Sequence, residues 1–231
     1  MIRAVLFDLD GTLLPMDNDE FTRIYFGLLA KHMAPHGYEA RKLVDGIWAG
    51  TAAMVKNDGR ASNEQAFWQE FSRIFGEKVW QDIPLFEEFY RTDFQKARAV
   101  CGFAPEAAEI VRMLKEKGVK ICLTTASDRF LAESALRRNG VLSFFSELFT
   151  CSQVGKGKEN PRIYRHALYY LNTEKDSTWV FEDAFHAVRT AKKDGFPVVG
   201  VYDPSEENNQ QAIRELSDIY LRELTEMEEY F

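Results

Sequence analysis

The chain has 231 residues, of which 45% are hydrophobic and 13% aromatic, and a formal net charge of -7. That is enough apolar material for one large globular domain or a core with a smaller companion, and it excludes a disordered chain. The acidic balance speaks against a general nucleic-acid or membrane-surface binder, which relies on basic patches, and no stretch approaches the ~18 apolar residues of a membrane span.

The N-terminus enters an apolar run at once. Ala4-Val5-Leu6-Phe7 has the length and composition of a buried strand, and Asp8-Leu9-Asp10-Gly11-Thr12 closes it. Two carboxylates two residues apart share one side of a strand end, the place where open α/β sheets bind ligands. Close burial of both requires a cation or a proton between them. Gly11 lets the backbone leave the strand at an angle other residues resist, and Thr12 adds a hydroxyl. A polar Asp-Gly turn is the plainer alternative at this point.

Residues 13 to about 100 carry all but one of the four tryptophans. They show helical spacing and no clear strand: Phe21, Ile24, Tyr25, Leu28 and Leu29 share one face, and Phe67, Phe71, Ile74 and Phe75 another. Asn57-Asp58-Gly59 marks a break, and Ser62 with Gln65 has capping-box spacing. The segment is expected to be an all-helical insert of four or five helices.

From about residue 103 helices and strands alternate. The predicted elements are a helix over 105–117, a strand over 119–124, a helix over 128–138 and a strand over 147–152. A helix over 161–171, a strand over 178–181, a helix over 185–194 and a strand over 198–202 follow, with a helical acidic tail from Asn208. Such alternation predicts a parallel sheet with helices on both faces. Three more strand ends carry chemistry. Thr124-Thr125-Ala126-Ser127 offers hydroxyls before a helix, as an anion site or with Ser127 as a plain N-cap. Gly155-Lys156-Gly157-Lys158-Glu159-Asn160-Pro161 sets a lysine before a helix, for a phosphate or as a solvated loop. Glu182-Asp183 is a second acidic pair, suited to a divalent cation with oxygen ligands or, for Asp183, to capping. Cys101, Cys122 and Cys151 form no zinc pattern and no disulfide framework, and the N-terminus has no signal-peptide layout; reduced thiols in a cytoplasmic protein are expected.

Taken together, these four sites in this order resemble the haloacid dehalogenase superfamily, over essentially the whole chain. Asp8-Leu9-Asp10-Gly11-Thr12 matches its first motif, DxDGT. Thr125 matches the motif-two hydroxyl. Lys158 stands three residues before Pro161, as in the K-P-x-P-[DE]-x-[FY] form of motif three, and Glu182-Asp183 matches motif four. The resemblance implies an α/β Rossmann-like core of residues 1–14 and 100–231. It implies a mobile C1-type helical cap over 15–99, as in the subfamily I phosphatase-like hydrolases. It further implies a Mg²⁺-dependent phosphohydrolase. Asp8 would be the nucleophile that forms an aspartyl-phosphate and Asp10 the general acid and base. Thr125 and Lys158 would bind the phosphoryl group, with Gly11 and Thr12 beside them. Asp8, the Asp10 backbone carbonyl and Asp183 would hold the metal, with Glu182 in support.

Lys158 is followed by Glu159 where the family has Pro, and Lys156 is a rival for its role. Leu14-Pro15-Met16-Asp17 departs from the frequent Asp-Ser at the start of the cap, away from the phosphoglycolate phosphatase and β-phosphoglucomutase branches. Asp10 separates the phosphatase-like members from the dehalogenases. A phosphomutase, with a sugar hydroxyl in place of water, is the alternative, and a non-catalytic regulatory protein is a further one. The expected partner is a small phosphorylated metabolite, with no nucleic acid and no membrane, bound by a monomer or homodimer. Met16, His32, His36, Trp48, Lys56 and Arg60 are the substrate-contact candidates within the cap.

Overall fold

The computed structural model describes residues 2–14, 18–57, 61–98 and 105–230. Met16, Arg60, Cys101 and the Asp58-Gly59 part of the predicted break lie outside them. Six strands form one sheet: β1 (Ala4–Phe7), β2 (Lys120–Thr125), β3 (Glu147–Thr150), β4 (Thr178–Glu182), β5 (Val198–Val201) and β6 (Ile219–Leu221). Their order is β3-β2-β1-β4-β5-β6, and every neighbouring pair is parallel. β1 lies between β2 and β4, with Phe7 level with Leu123 on one side and Phe181 on the other. Helices cover both faces of the sheet, so no side of β1 meets water. This is why it reads as an unbroken apolar run.

The pleat divides the strand between two cores. Val5 and Phe7 enter one with Ile121 and Leu123, and Ala4 and Leu6 enter the other with Cys122. The first core is closed by α6 (Pro105–Glu116) and α7 (Arg129–Arg138), through Ala107, Ile110, Val111, Leu114, Ala132, Ala135 and Leu136. α9 (Arg162–Leu171), α10 (Phe185–Lys193) and α11 (Gln210–Leu216) close the second, through Ile163, Tyr164, Ala167, Leu171, Val188, Ala191 and Ile213.

Three predicted boundaries shift. The strand expected over 147–152 stops at Thr150. Its hydroxyl accepts from Gln153 N while its own N–H donates to the Gln153 side chain, opening the one-turn helix α8 (Cys151–Val154). The cap of α7 is Asp128, which accepts from Phe130 N at 2.8 Å, and not Ser127. The tail is not a continuous helix: after α11, β6 pairs with β5, and a 3₁₀ segment over Leu224–Tyr230 returns Leu224 and Met227 to the first core.

The chain divides into two compact units, Met1–Asp17 with Cys101–Phe231, and Asn18–Val100. The second contains α1 (Asn18–Met33), α2 (Ala40–Val55), α3 (Asn63–Phe75), α4 (Val79–Arg91) and α5 (Phe94–Arg98), and no strand among the described residues. Ser62 and Gln65 form the predicted capping box of α3. The unit's interior is built of rings: Phe71 is fully buried, 4.6 Å from Phe75 and 5.4 Å from Phe86 between centroids. Gly46 and Gly50, one turn apart on α2, let α3 approach. A Cβ at Gly46 would lie 2.6 Å from the Phe75 ring, and one at Gly50 would lie 2.5 Å from the Phe67 ring.

Candidate active site

Asp8 follows β1 directly, and its N–H continues the ladder to Phe181 O at 3.0 Å. The next residues turn tightly: Leu13 N and Leu14 N both donate to Leu9 O, and Gly11 N donates to Leu14 O. Gly11 has φ +94°, and a Cβ there would lie 2.3 Å from Asp183 Oδ2. Thr12 Oγ1 donates to Asp183 Oδ1 at 2.8 Å. Gly11 and Thr12, expected beside the phosphoryl group, both contact Asp183. The Gly11 N–H and the Thr12 hydroxyl bond within the protein, one making room for Asp183 and the other orienting it.

From the end of β2, Thr125 accepts a hydrogen bond from Ser127 N at 3.0 Å, which leaves its own hydroxyl proton to donate. Ser127 Oγ donates to Asp10 Oδ2 in a short bond and fixes that carboxylate. The first turn of α7 is capped by the Asp128 carboxylate, which occupies the N-terminal end that an anion would otherwise meet.

Lys158 is buried, and its Nζ donates to Asp8 Oδ1 and, at 2.5 Å, to Glu182 Oε1. Lys156 is exposed. Glu182 and Asp183 stand where β4 ends. Glu182 Oε1 also accepts from the Tyr164 hydroxyl of α9 at 3.0 Å, while its buried Oε2 has no partner. Asp183 does not cap α10; that position is Ala184. One pocket is lined by Asp8, Asp10, Thr125, Lys158, Glu182 and Asp183, with Ala126, Ala184 and His186 completing its wall.

Carboxylate oxygens of Asp8, Glu182 and Asp183 lie within 4.8 Å of one another. Burial pushes Asp183 up to about 9, reinforced by the charges of Asp8 and Glu182. Burial also pushes Asp8 up to about 7, against the pull of Lys158 and with Glu182 and Asp10 adding to the rise. For Lys158 burial alone would favour the neutral amine, yet Asp8 and Glu182 outweigh it and hold the ammonium above its ordinary range. With all three carboxylates ionised against one ammonium, two negative charges would be in excess, which is why burial holds Asp8 and Asp183 toward their protonated forms. That excess, with the unpartnered Glu182 Oε2, fits a divalent cation with oxygen ligands. The cluster comprises Asp8, Glu182 and Asp183, without the Asp10 carboxylate.

Tyr164 and His186 were not singled out by the sequence reading. Tyr164 reads as one apolar position on the buried face of α9, and only the fold shows its hydroxyl reaching Glu182. His186 is the second residue of α10, in the turn of helix that starts just past the end of β4. Within the helical unit, His32 Nδ1 lies 2.9 Å from Asp93 Oδ2, and His36, Trp48 and Lys56 are exposed. Cys122 and Cys151 are free thiols, and no helix among the described residues is long and apolar enough to cross a membrane.

Comparison with known proteins gives a consistent set of likenesses. A sequence profile described as a haloacid dehalogenase-like hydrolase matches residues 2–195. The validoxylamine A 7'-phosphate phosphatase of Streptomyces hygroscopicus subsp. limoneus is 26% identical over 227 residues, covering 98% of this chain and 96% of that protein. A phosphorylated carbohydrates phosphatase of Thermotoga maritima is 24% identical over 200 residues, 84% of this chain and 82% of its own. Among solved structures, a 2-haloacid dehalogenase from Pseudomonas syringae pv. Tomato DC3000 superposes with a TM-score of 0.71 at 20% identity. It covers 99% of this chain and 97% of that one, a likeness of fold.

Proposed function

Because the chain belongs to the haloacid dehalogenase-like hydrolase family, we propose that it is a divalent-cation-dependent phosphatase. It acts on a small phosphorylated metabolite through a phosphoryl group carried on Asp8. The observation that supports this reading is the single pocket that gathers Asp8, Asp10, Thr125 and Lys158 with the Glu182-Asp183 pair. The two relatives named above are phosphatases of phosphorylated small molecules, and Asp10 sets the site apart from halide-releasing members.

Lys158 engages Asp8 Oδ1, so Oδ2 is the oxygen that attacks phosphorus. The Oδ2–phosphorus bond forms as the bond to the ester oxygen breaks, and Asp10 gives its proton to that leaving oxygen. Water then attacks phosphorus, Asp10 takes its proton, and inorganic phosphate leaves with Asp8 restored. Ser127 keeps Asp10 in one orientation through both transfers. The Lys158 ammonium and the Thr125 hydroxyl face the phosphoryl oxygens and offset the charge that develops on them. Asp8, Asp183 and the Asp10 carbonyl would hold Mg²⁺, with Glu182 in support, and when bound it supplies two positive charges opposite the phosphoryl group. Asn18–Val100 is proposed as the cap that selects the substrate.

The test is phosphate release from p-nitrophenyl phosphate and a panel of phosphomonoesters with Mg²⁺, for the wild type and Asp8→Asn. Release that requires both Mg²⁺ and Asp8 is expected, with a loss of at least about a thousandfold in the variant, at unchanged circular dichroism. Turnover by Asp8→Asn near the wild-type rate would sink the scheme.

A further inference from the structure

The pocket wall carries one hydrogen-bonding side chain that this scheme leaves unused. Ala126 and Ala184 have no hydrogen-bonding side chain, and His186 remains. The His186 side chain is 45% exposed, with Nε2 3.9 Å from Glu159 Oε1. That gap is too long for a direct hydrogen bond. Glu159 follows Lys158 in the chain, and its carboxylate folds back over Gly157. A Cβ at Gly157 would lie 2.3 Å from Glu159 Oε2, so the missing side chain gives the carboxylate its place beside the imidazole.

We infer that His186 and Glu159 select a hydroxyl on the leaving group. The preferred substrates are then phosphomonoesters with a neutral hydroxyl close to the ester oxygen. An oxygen about 2.8 Å from each of two atoms this far apart can accept from one and donate to the other. A hydroxyl does both, accepting from the imidazole N–H and donating to the carboxylate. An alkyl group in the same place can make neither bond, and a second carboxylate or phosphate meets the like charge of Glu159. This inference rests on the phosphatase reading above.

The experiment measures kcat/KM with Mg²⁺ for glycerol 3-phosphate, glucose 6-phosphate, propyl phosphate and 2-phosphoglycolate, in the wild type, His186→Ala and His186→Asn. The wild type should prefer the two polyol esters over propyl phosphate and 2-phosphoglycolate by at least tenfold. His186→Ala should cut that preference by at least tenfold, through KM of the polyol esters. His186→Asn, which keeps an N–H, should recover part of it, and it decides the matter if the alanine variant does not fold. A preference that survives both substitutions overturns the inference, as does a wild type that turns over propyl phosphate or 2-phosphoglycolate equally well. Absence of Asp8-dependent release from every ester is a separate outcome, which overturns the phosphatase reading and the selector with it.

Discussion

Among the described residues, the helical unit buries Leu29, Met33, Leu43, Phe71, Phe86 and Phe89 and no charged side chain. The sheet unit buries Asp8, Lys158, Glu182 and Asp183 beside its own apolar core. The two units thus use their interiors differently. In the helical unit polar groups pair at the margin, as His32 does with Asp93 and Tyr38 with Asp82, and ring packing holds the helices together. In the sheet unit the apolar cores above and below β1 sustain a cluster of like charges that would be costly by itself. Interior chemistry is confined to the unit whose packing can sustain it, and the aromatic unit is left with shape.

Four substitutions sharpen or break this contrast. The largest effect on stability belongs to Phe71→Ala, which removes a fully buried ring in contact with Phe67, Phe75 and Phe86. A loss of about 3–5 kcal/mol in chemical denaturation is expected, with Mg²⁺ affinity by calorimetry unmoved; a changed affinity would break the separation. Gly50→Ala should cost about 1–3 kcal/mol by overpacking against Phe67, and a neutral result would mean that α2 and α3 yield freely. Tyr164→Phe keeps the ring in its core and deletes the bond to Glu182 Oε1. It should cost about 1 kcal/mol in stability yet weaken Mg²⁺ binding severalfold, the reverse of the Phe71→Ala pattern. The smallest effect is at Asp194, whose hydrogen bond from Arg165 holds it below the ordinary carboxylate range. A lowered folded-state pKa contributes stability above the unfolded value of about 3.9 and loses it as pH falls through the folded one. Asp194→Asn should therefore cost under about 1 kcal/mol at pH 7, and the two unfolding curves should converge as pH falls through the lowered folded-state value.

The legible parts of the sequence were those whose signal is local. The apolar run of β1 and the caps and faces of α3, α6 and α9 are each written in neighbouring residues, and so are the acidic and hydroxyl groups at strand ends. β6 was not legible, because three residues are too few to show a period and its partner β5 lies across α11. Thr150 was read as strand although Thr150-x-x-Gln153 carries capping-box spacing, since the apolar run before it dominated. The choice between Lys156 and Lys158 depended on which ammonium the fold buries, and two residues of loop do not encode that. The same holds for Tyr164 and Gly11: both serve carboxylates of the Glu182-Asp183 pair, on a strand far along the chain, and nothing nearby announces it.

The position of β1 in the sheet has a consequence for the chain as it leaves the ribosome. Ala4 pairs with Lys120 on one side and Thr178 on the other. At about 5–20 residues per second, the first strand made waits on the order of ten seconds for its last neighbour. Throughout that interval it is a bare apolar edge, the kind that seeds association between nascent chains. The helical unit, a compact body within Asn18–Val100, is complete long before β4 is made. Until β4 arrives, Asp8 and Asp10 are solvated charges at the end of that edge, where charge discourages pairing with a stranger. The carboxylates that line the pocket of the finished protein are, before it is finished, the guards of its central strand.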